Sequence, residues 1–386
     1  MNIKNYLSDK QWKHFYSESK KYKTPFVLVS KQIINDNFNK IKTNFPYAQV
    51  YTAIKANPCV DGIEVLNKLG SNFDIATIYE LDMLLKLKVN PSRMSFGNTI
   101  KKKEDVAYAY KKGVRLFVSD SISDLENIAK YAPKSKVFFR ILVDGSATAE
   151  WPLSLKFGAD VQVVEELIYK AKALKLIPVG ISFHVGSQQN DVNTWDKAIG
   201  RVSALFNKVA KNGIVLNLLN MGGGFPAHYI KTPHLLQEYA KNINVSLNKY
   251  FGNNIPTIIL EPGRSLFGNA GVLVSEVILI SKKTKTTKDK WLYVDSGIFN
   301  GLIETLGESI KYPLYVPNRK GKDSKEFIIA GPTCDSADIM YKDFRNPLPK
   351  DIKIGDRIFW LSTGAYTSSY ASVNFNSFPP IKTYFI

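Results

Sequence analysis

Eight short apolar runs alternate with segments of helical period, and this alternation restricts the fold more than any other property of the chain. The runs cover 48–56, 72–77, 93–98, 116–120, 137–143, 179–186, 215–222 and 257–263, with amphipathic stretches such as 102–112, 161–174 and 196–211 between them. A strand that continues through a helix returns to pair in parallel with its predecessor. Eight such units close a (β/α)8 barrel, and a span of roughly 235 residues is its usual size. Past residue 264 the helical alternation stops. Runs at 272–280, 291–295, 327–329 and 358–361 read as strands separated by Gly, Pro and Lys turns. The expected class is therefore α/β: a TIM (β/α)8 barrel over 29–265, followed by a mostly antiparallel β-barrel or sandwich over 266–386. Residues 1–28 are expected to join the second part, because 25–29 reads as a strand ahead of the first barrel helix.

Charge and cysteine content restrict the partners. The 52 basic and 34 acidic residues give a formal charge of +18. The basic clusters at 20–23, 101–103 and 282–290 are short, and none interleaves with aromatic residues in the manner of a single-strand nucleic-acid binder. A solvated lysine surface and no nucleic-acid partner are expected. Two cysteines cannot build a disulfide framework. No apolar signal core opens the chain, and the apolar stretch 271–280 is too short to cross a bilayer and contains Glu276. A cytoplasmic protein without a membrane partner is expected. The histidines and cysteines show no metal-ligand spacing, so no metal is expected.

In a TIM barrel, chemistry belongs at the C-terminal ends of the strands, and the polar residues of the apolar runs fall there. Lys55 ends the first run, Asp74 lies in the second, Arg140 in the fifth and His184 at the end of the sixth. Gly222-Gly223-Gly224 closes the seventh, and Glu261 and Arg264 close the eighth. Each residue alone has an ordinary reading. Lys55 taken alone reads first as a snorkelling surface lysine, and second as an amine whose burial makes it nucleophilic toward an aldehyde. The glycine run, followed by a helix-like segment, is either a simple turn or a backbone cradle for phosphate. His184 is either a core histidine or a ring that stacks on a cofactor. Glu261 and Arg264 are either a local ion pair or two separate tools: a carboxylate for a ring nitrogen and a clamp for phosphate. In the second part, Cys334 is either a small core residue or an exposed acid, and Tyr366 either a half-buried core tyrosine or a phosphate-reaching hydroxyl.

The runs Tyr51-Thr-Ala-Ile-Lys-Ala-Asn-Pro58, Phe73-Asp-Ile-Ala76, Phe183-His-Val-Gly-Ser187, Gly222-Gly-Gly-Phe-Pro226, Glu261-Pro-Gly-Arg264, Gly331-Pro-Thr-Cys-Asp335 and Gly364-Ala-Tyr-Thr367 resemble, in order and over nearly the whole chain, the ornithine/diaminopimelate decarboxylase family of fold type III. That resemblance implies pyridoxal 5′-phosphate (PLP) as cofactor, bound through Lys55. It implies Asp74, Arg140, His184, Ser187, Gly222, Gly223, Gly224, Glu261, Arg264 and Tyr366 as cofactor-binding residues. Lys55, His184, Glu261 and Cys334 would carry the catalysis, with Cys334 as the acid that protonates Cα. It also implies a head-to-tail homodimer that shares its active sites, with Cys334 and Asp335 supplied across the interface.

Within the family, Gly301-Leu-Ile-Glu-Thr-Leu-Gly-Glu-Ser-Ile310 and Phe378-Pro-Pro380 are similar to bacterial lysine/ornithine decarboxylases. An acidic Asp335, with Glu308 and Tyr366, would suit a substrate ending in an amine. Ornithine (to putrescine, for polyamine biosynthesis) and lysine (to cadaverine) are the expected substrates, with diaminopimelate and arginine as alternatives. Gly307 replaces the Asp usual in these relatives and bears on substrate length. A fold type III alanine racemase would place arginine rather than Glu261 at the ring nitrogen, and a non-catalytic PLP-binding barrel would lack the second domain.

Overall fold

A computed structural model describes residues 1–144, 147–152, 155–317, 319, 323–372 and 375–386. The chain divides into two compact units. One comprises Asn35–Pro226 and His234–Gly263; the other comprises Met1–Ile34, Ala227–Pro233 and Arg264–Ile386.

The first unit is a closed barrel of eight parallel strands: Ala48–Ala53, Asn72–Ile75, Met94–Phe96, Leu116–Ser119, Lys136–Arg140, Ile177–Ser182, Leu218–Asn220 and Thr257–Leu260. Each pairs with its neighbours in chain order, and the eighth closes on the first through Ile258↔Ala48 and Leu260↔Val50. All eight apolar runs supply one strand each. Threonine and serine mark where the chain turns from strand to helix: the Thr77 and Ser121 hydroxyls accept the N–H groups of Glu80 and Asp124 at the starts of Ile78–Lys86 and Ile122–Tyr131. The outer helices bury one stripe. In Val161–Ala173 it is Val164, Leu167, Ile168 and Ala171, the spacing of a single helical face. Val118, Phe138 and Val179 pack together inside the barrel. Near the strand ends the fully buried Lys101 amine donates to Asn98 O, Val118 O and the Asp124 carboxylate at 2.8–2.9 Å, tying the loop after the third strand to the fourth.

The second unit is an eight-stranded, mostly antiparallel sheet. Its spine, Gly271–Ser281, pairs antiparallel with Phe26–Val29, Arg357–Leu361 and Trp291–Val294. Phe26–Val29 also pairs in parallel with Lys382–Phe385. The longest strand that the sequence pattern did not reveal is Ile339–Pro349. Its two prolines and Asn346 obscure the period, and they are tolerated because among the described residues this is an edge strand that pairs only with Ser324–Ala330.

Candidate active site

Five ionisable side chains and a glycine loop converge at the C-terminal rim of the barrel. Lys55 does not lie in the strand, as the run 48–56 suggests. The strand ends at Ala53, and Lys55 occupies a single 3-10 turn, Ile54–Ala56. Ile54 and Ala56 are buried while the Lys55 side chain is exposed, so the turn presents the amine instead of sinking it. The expectation of a buried lysine is thereby corrected. What marks the amine out is the charge around it: its field acts on Asp74, Glu80 and His184.

Asp74, at the end of the second strand, is 6% exposed and accepts a 3.0 Å hydrogen bond from Ser95 Oγ. Burial, and then the Glu261 carboxylate, push its carboxyl well above the usual range, while Lys55 and the Ser95 bond oppose. Burial likewise raises Glu80, which accepts the Ala76 N–H. A Cβ on Gly97 would stand within bonding distance of Asp74 Oδ1, so glycine is required beside that carboxylate.

His184 follows the sixth strand. Its Nδ1 accepts the Gly186 N–H at 3.1 Å, which leaves the proton of the neutral ring on Nε2. Burial first, then the charges of Arg140 and Lys55, hold it well below its ordinary value, so the imidazole is uncharged at neutral pH. Arg140 ends the fifth strand and lies within the field of Glu261, Asp120 and Asp74. Ser187 opens the short strand Ser187–Gln189, directly after the His184 turn.

The glycine run after the seventh strand is not the start of a helix; the next helix is Leu236–Phe251. It is a tight loop in which Gly222 and Gly224 take φ of +64° and +100°. A Cβ on Gly222 would meet Phe183 O at 2.4 Å, and one on Gly223 would meet Glu261 O at 2.6 Å and His184 Nε2 at 3.3 Å. Backbone therefore lies bare beside His184 and Glu261. Asn220, which the sequence reading passed over, ends the seventh strand and donates from Nδ2 to Glu261 Oε1 at 2.5 Å. A lone polar residue closing the apolar run Leu218-Leu219 was its only signal.

The remaining candidates lie in the second unit. Arg264 is 4% exposed and donates to both Glu304 oxygens at 2.8 and 2.5 Å and to Tyr229 Oη at 2.7 Å. Its guanidinium carbon also stands 4.8 Å over the Tyr366 ring. The expected phosphate clamp is thus committed to a buried carboxylate. Burial pushes the Tyr366 hydroxyl up to about 12. Glu308, expected to meet substrate, accepts the backbone N–H groups of Lys342, Asp343 and Phe344 at 2.6–2.7 Å, in the middle of the edge strand where its register with Ser324–Ala330 shifts. Gly307 precedes it at φ +60° with open space around it.

Cys334 and Asp335 are exposed, and Cys334 N–H donates to Asn376 Oδ1 at 3.0 Å. Their turn is built around buried Asp338, whose carboxylate accepts Ile298 N–H, Thr333 N–H and the Thr333 hydroxyl. No group of three His, Cys, Asp or Glu placed to hold a metal ion occurs among the described residues. None of their helices is long and apolar enough to cross a membrane.

Comparison with known proteins bears on this arrangement. Residues 31–268 match a family model described as pyridoxal-dependent decarboxylase, pyridoxal binding domain. The chain is 33% identical over 379 residues to the lysine/ornithine decarboxylase of Selenomonas ruminantium, covering 97% of this chain and 92% of that one. It is similar to the crystal structure of SrLDC in complex with PLP and cadaverine, with a TM-score of 0.86, 31% identity, and coverage of 98% and 94%. It is also similar to the lysine/ornithine decarboxylase from Vibrio vulnificus complexed with putrescine, with a TM-score of 0.87, 26% identity, and coverage of 98% and 99%.

Proposed function

The chain belongs to the pyridoxal-dependent decarboxylase family, and we propose that its substrate is a basic L-amino acid, ornithine first and lysine second. The observation that carries this reading is the rim itself. The rim brings together an accessible amine on Lys55, the buried Asp74 and half-buried Glu261 carboxylates, an uncharged imidazole and a glycine loop in which any side chain would collide with backbone. Such a set fits PLP: an amine for its aldehyde, a carboxylate for its ring nitrogen, a ring face and bare backbone for its phosphate. When bound, PLP supplies the electron sink into which the pair left by departing CO₂ is drawn.

The protein's part is to hold and move protons around that sink. Lys55 would supply the amine that holds the cofactor's aldehyde. Glu261, fixed by Asn220, keeps a proton on the ring nitrogen and so strengthens its pull. His184, uncharged, offers an aromatic face without adding a cation that would compete with that proton. Arg140 offsets the charge of the two carboxylates. Ser187 and the loop Gly222, Gly223 and Gly224 serve the phosphate, and Tyr366 offers a hydroxyl for it.

Across the dimer interface, Cys334 of the partner subunit would supply the proton that replaces CO₂ on Cα, and Asp335 of the partner subunit the charge that recognises a distal ammonium. Arg264, engaged by Glu304, serves by holding Tyr366 in place. The similarity to relatives named for ornithine and lysine, two of them solved with diamines, supports the substrate class. We further propose a cytoplasmic homodimer working in polyamine biosynthesis. Sedimentation at twice the chain mass of 43.4 kDa is expected, and sedimentation as a monomer would remove the dimer.

The deciding experiment is release of CO₂ from ornithine, lysine, arginine and meso-diaminopimelate measured side by side with PLP-loaded protein. Ornithine and lysine are expected to give kcat/KM at least about tenfold above the others, and reaction of diaminopimelate alone would overturn the substrate class. In the same assay Cys334→Ala is expected to lose about 10²-fold in diamine formation. Unchanged diamine output would remove its role as proton donor.

A further inference from the structure

Asp74 and Glu261 stand at the ends of the two strands that flank the first barrel strand, and the charge of Glu261 acts on Asp74, so that charging both at once is costly. Asp74 receives a neutral hydroxyl from Ser95 and lies 6% exposed. Glu261 receives a carboxamide. Asn220 Nδ2 donates to Glu261 Oε1 at 2.5 Å, while Asn220 Oδ1 accepts the Gly222 N–H at 2.9 Å. The second bond fixes the orientation of the first. A flipped amide would set NH₂ against the Gly222 N–H and its carbonyl against a carboxylate, two repulsions in place of two bonds. Asn220 is itself fully buried, and its backbone carbonyl accepts the Phe183 N–H at 3.0 Å, so the donor cannot turn away. Glu261 is also held from behind, its N–H donating to Gly222 O at 2.8 Å. The segment 220–222 thus grips Glu261 by backbone and by carboxylate.

We infer that Asn220 is the positioning residue that assigns the negative charge of the rim to Glu261 and leaves Asp74 as the carboxylate that gives way. A forced N–H donor favours the ionised form of its acceptor, whereas Asp74 receives the Ser95 hydroxyl. Charged and titratable neighbours surround the pair: Tyr51 and Arg140 interact with both carboxylates, Lys55 and Glu80 with Asp74, and His184 with Arg140 and Lys55. Tyr51 and Lys55 come from the first strand and its turn, Glu80 from the helix after the second, Arg140 from the fifth strand and His184 from the sixth. Burial and the charge of Glu261 already push Asp74 toward its neutral form. The inference rests on the reading that Glu261 serves the ring nitrogen of PLP.

The isosteric Asn220→Asp replacement tests it. It keeps the acceptor for Gly222 N–H but turns the donor facing Glu261 into a second acid, so that two carboxyl oxygens at hydrogen-bond distance share one proton. The acidic limb of kcat against pH is expected to move up by about one unit. The dissociation constant for PLP, from fluorescence titration of the apoprotein, is expected to rise about tenfold, with KM for amino acid changed less than twofold. Asn220→Ala, which removes the donor without adding a charge, should weaken PLP binding while moving the acidic limb less. A purely structural asparagine would alter circular dichroism and melting but not that limb. Glu261→Gln is the control. If it leaves PLP affinity and the pH profile of the natural protein in place, the role of Glu261 falls. If it shifts both while Asn220→Asp shifts neither, the inference about Asn220 alone falls.

Discussion

Lys55→Ala is expected to abolish turnover, lowering kcat by more than about 10²-fold through the lost proton transfers alone, with further loss from the missing covalent anchor. A chain this rich in lysine will react with PLP at other exposed amines, so the test must be local. Borohydride reduction of the PLP-treated protein, followed by peptide mapping, should place the cofactor mass on the peptide containing Lys55 in the natural chain. In the variant, that mass should be absent from the rim. Electrostatics provides a second readout. Lys55 lowers the Asp74 and His184 values, so removing its charge should let His184 titrate at higher pH and push Asp74 further toward its neutral form. An NMR titration of His184 moving upward is the expected sign. Retained decarboxylation, or quantitative labelling of a different lysine with full activity, would end the assignment.

The barrel was readable because a parallel strand buried on both faces is written as an apolar run, and eight such runs punctuate the sequence. The strand ends were readable for a related reason. An ionisable residue closing an apolar run can be tolerated only where the strand meets solvent or a site, and Asp74, Arg140 and His184 all stand there. What the sequence did not reveal is what each polar group binds. Glu304 and Glu308 lie four residues apart on one irregular turn, with nothing local to tell them apart. The structure sends Glu304 inward to Arg264 and Glu308 to three backbone N–H groups of an edge strand whose prolines had hidden it. Those choices are made by partners distant in the chain, 40 and 34–36 residues away respectively. Asn220 was missed for the converse reason. Asparagine has no charge to draw attention, and its importance comes only from the carboxylate opposite.

Glu304→Ala is expected to be the most destabilising single change in the second unit. Arg264 and Glu304 side chains are 3% and 1% exposed, so the pair gains little screening from water, and the guanidinium keeps only Tyr229 and the face of Tyr366 among the contacts described above. Removing one member of a buried ion pair strands the other charge and costs roughly 3–5 kcal/mol. The chain has two units, so a single melting temperature would mix their responses. Hydrogen exchange resolved by peptide avoids this. Exchange across Gly271–Ser281 and Arg357–Leu361 should accelerate by about 10²-fold or more, since each 1.4 kcal/mol is a factor of ten, while the barrel strands hold their protection. Glu304→Gln keeps an acceptor for one guanidinium N–H and should lose less. The paired change Arg264→Met with Glu304→Leu removes both charges and should recover much of the protection, because desolvating a buried pair offsets most of its mutual attraction. Protection unchanged in Glu304→Ala would mean that Arg264 finds another anion. The guanidinium would then be available for the phosphate role that the sequence first suggested.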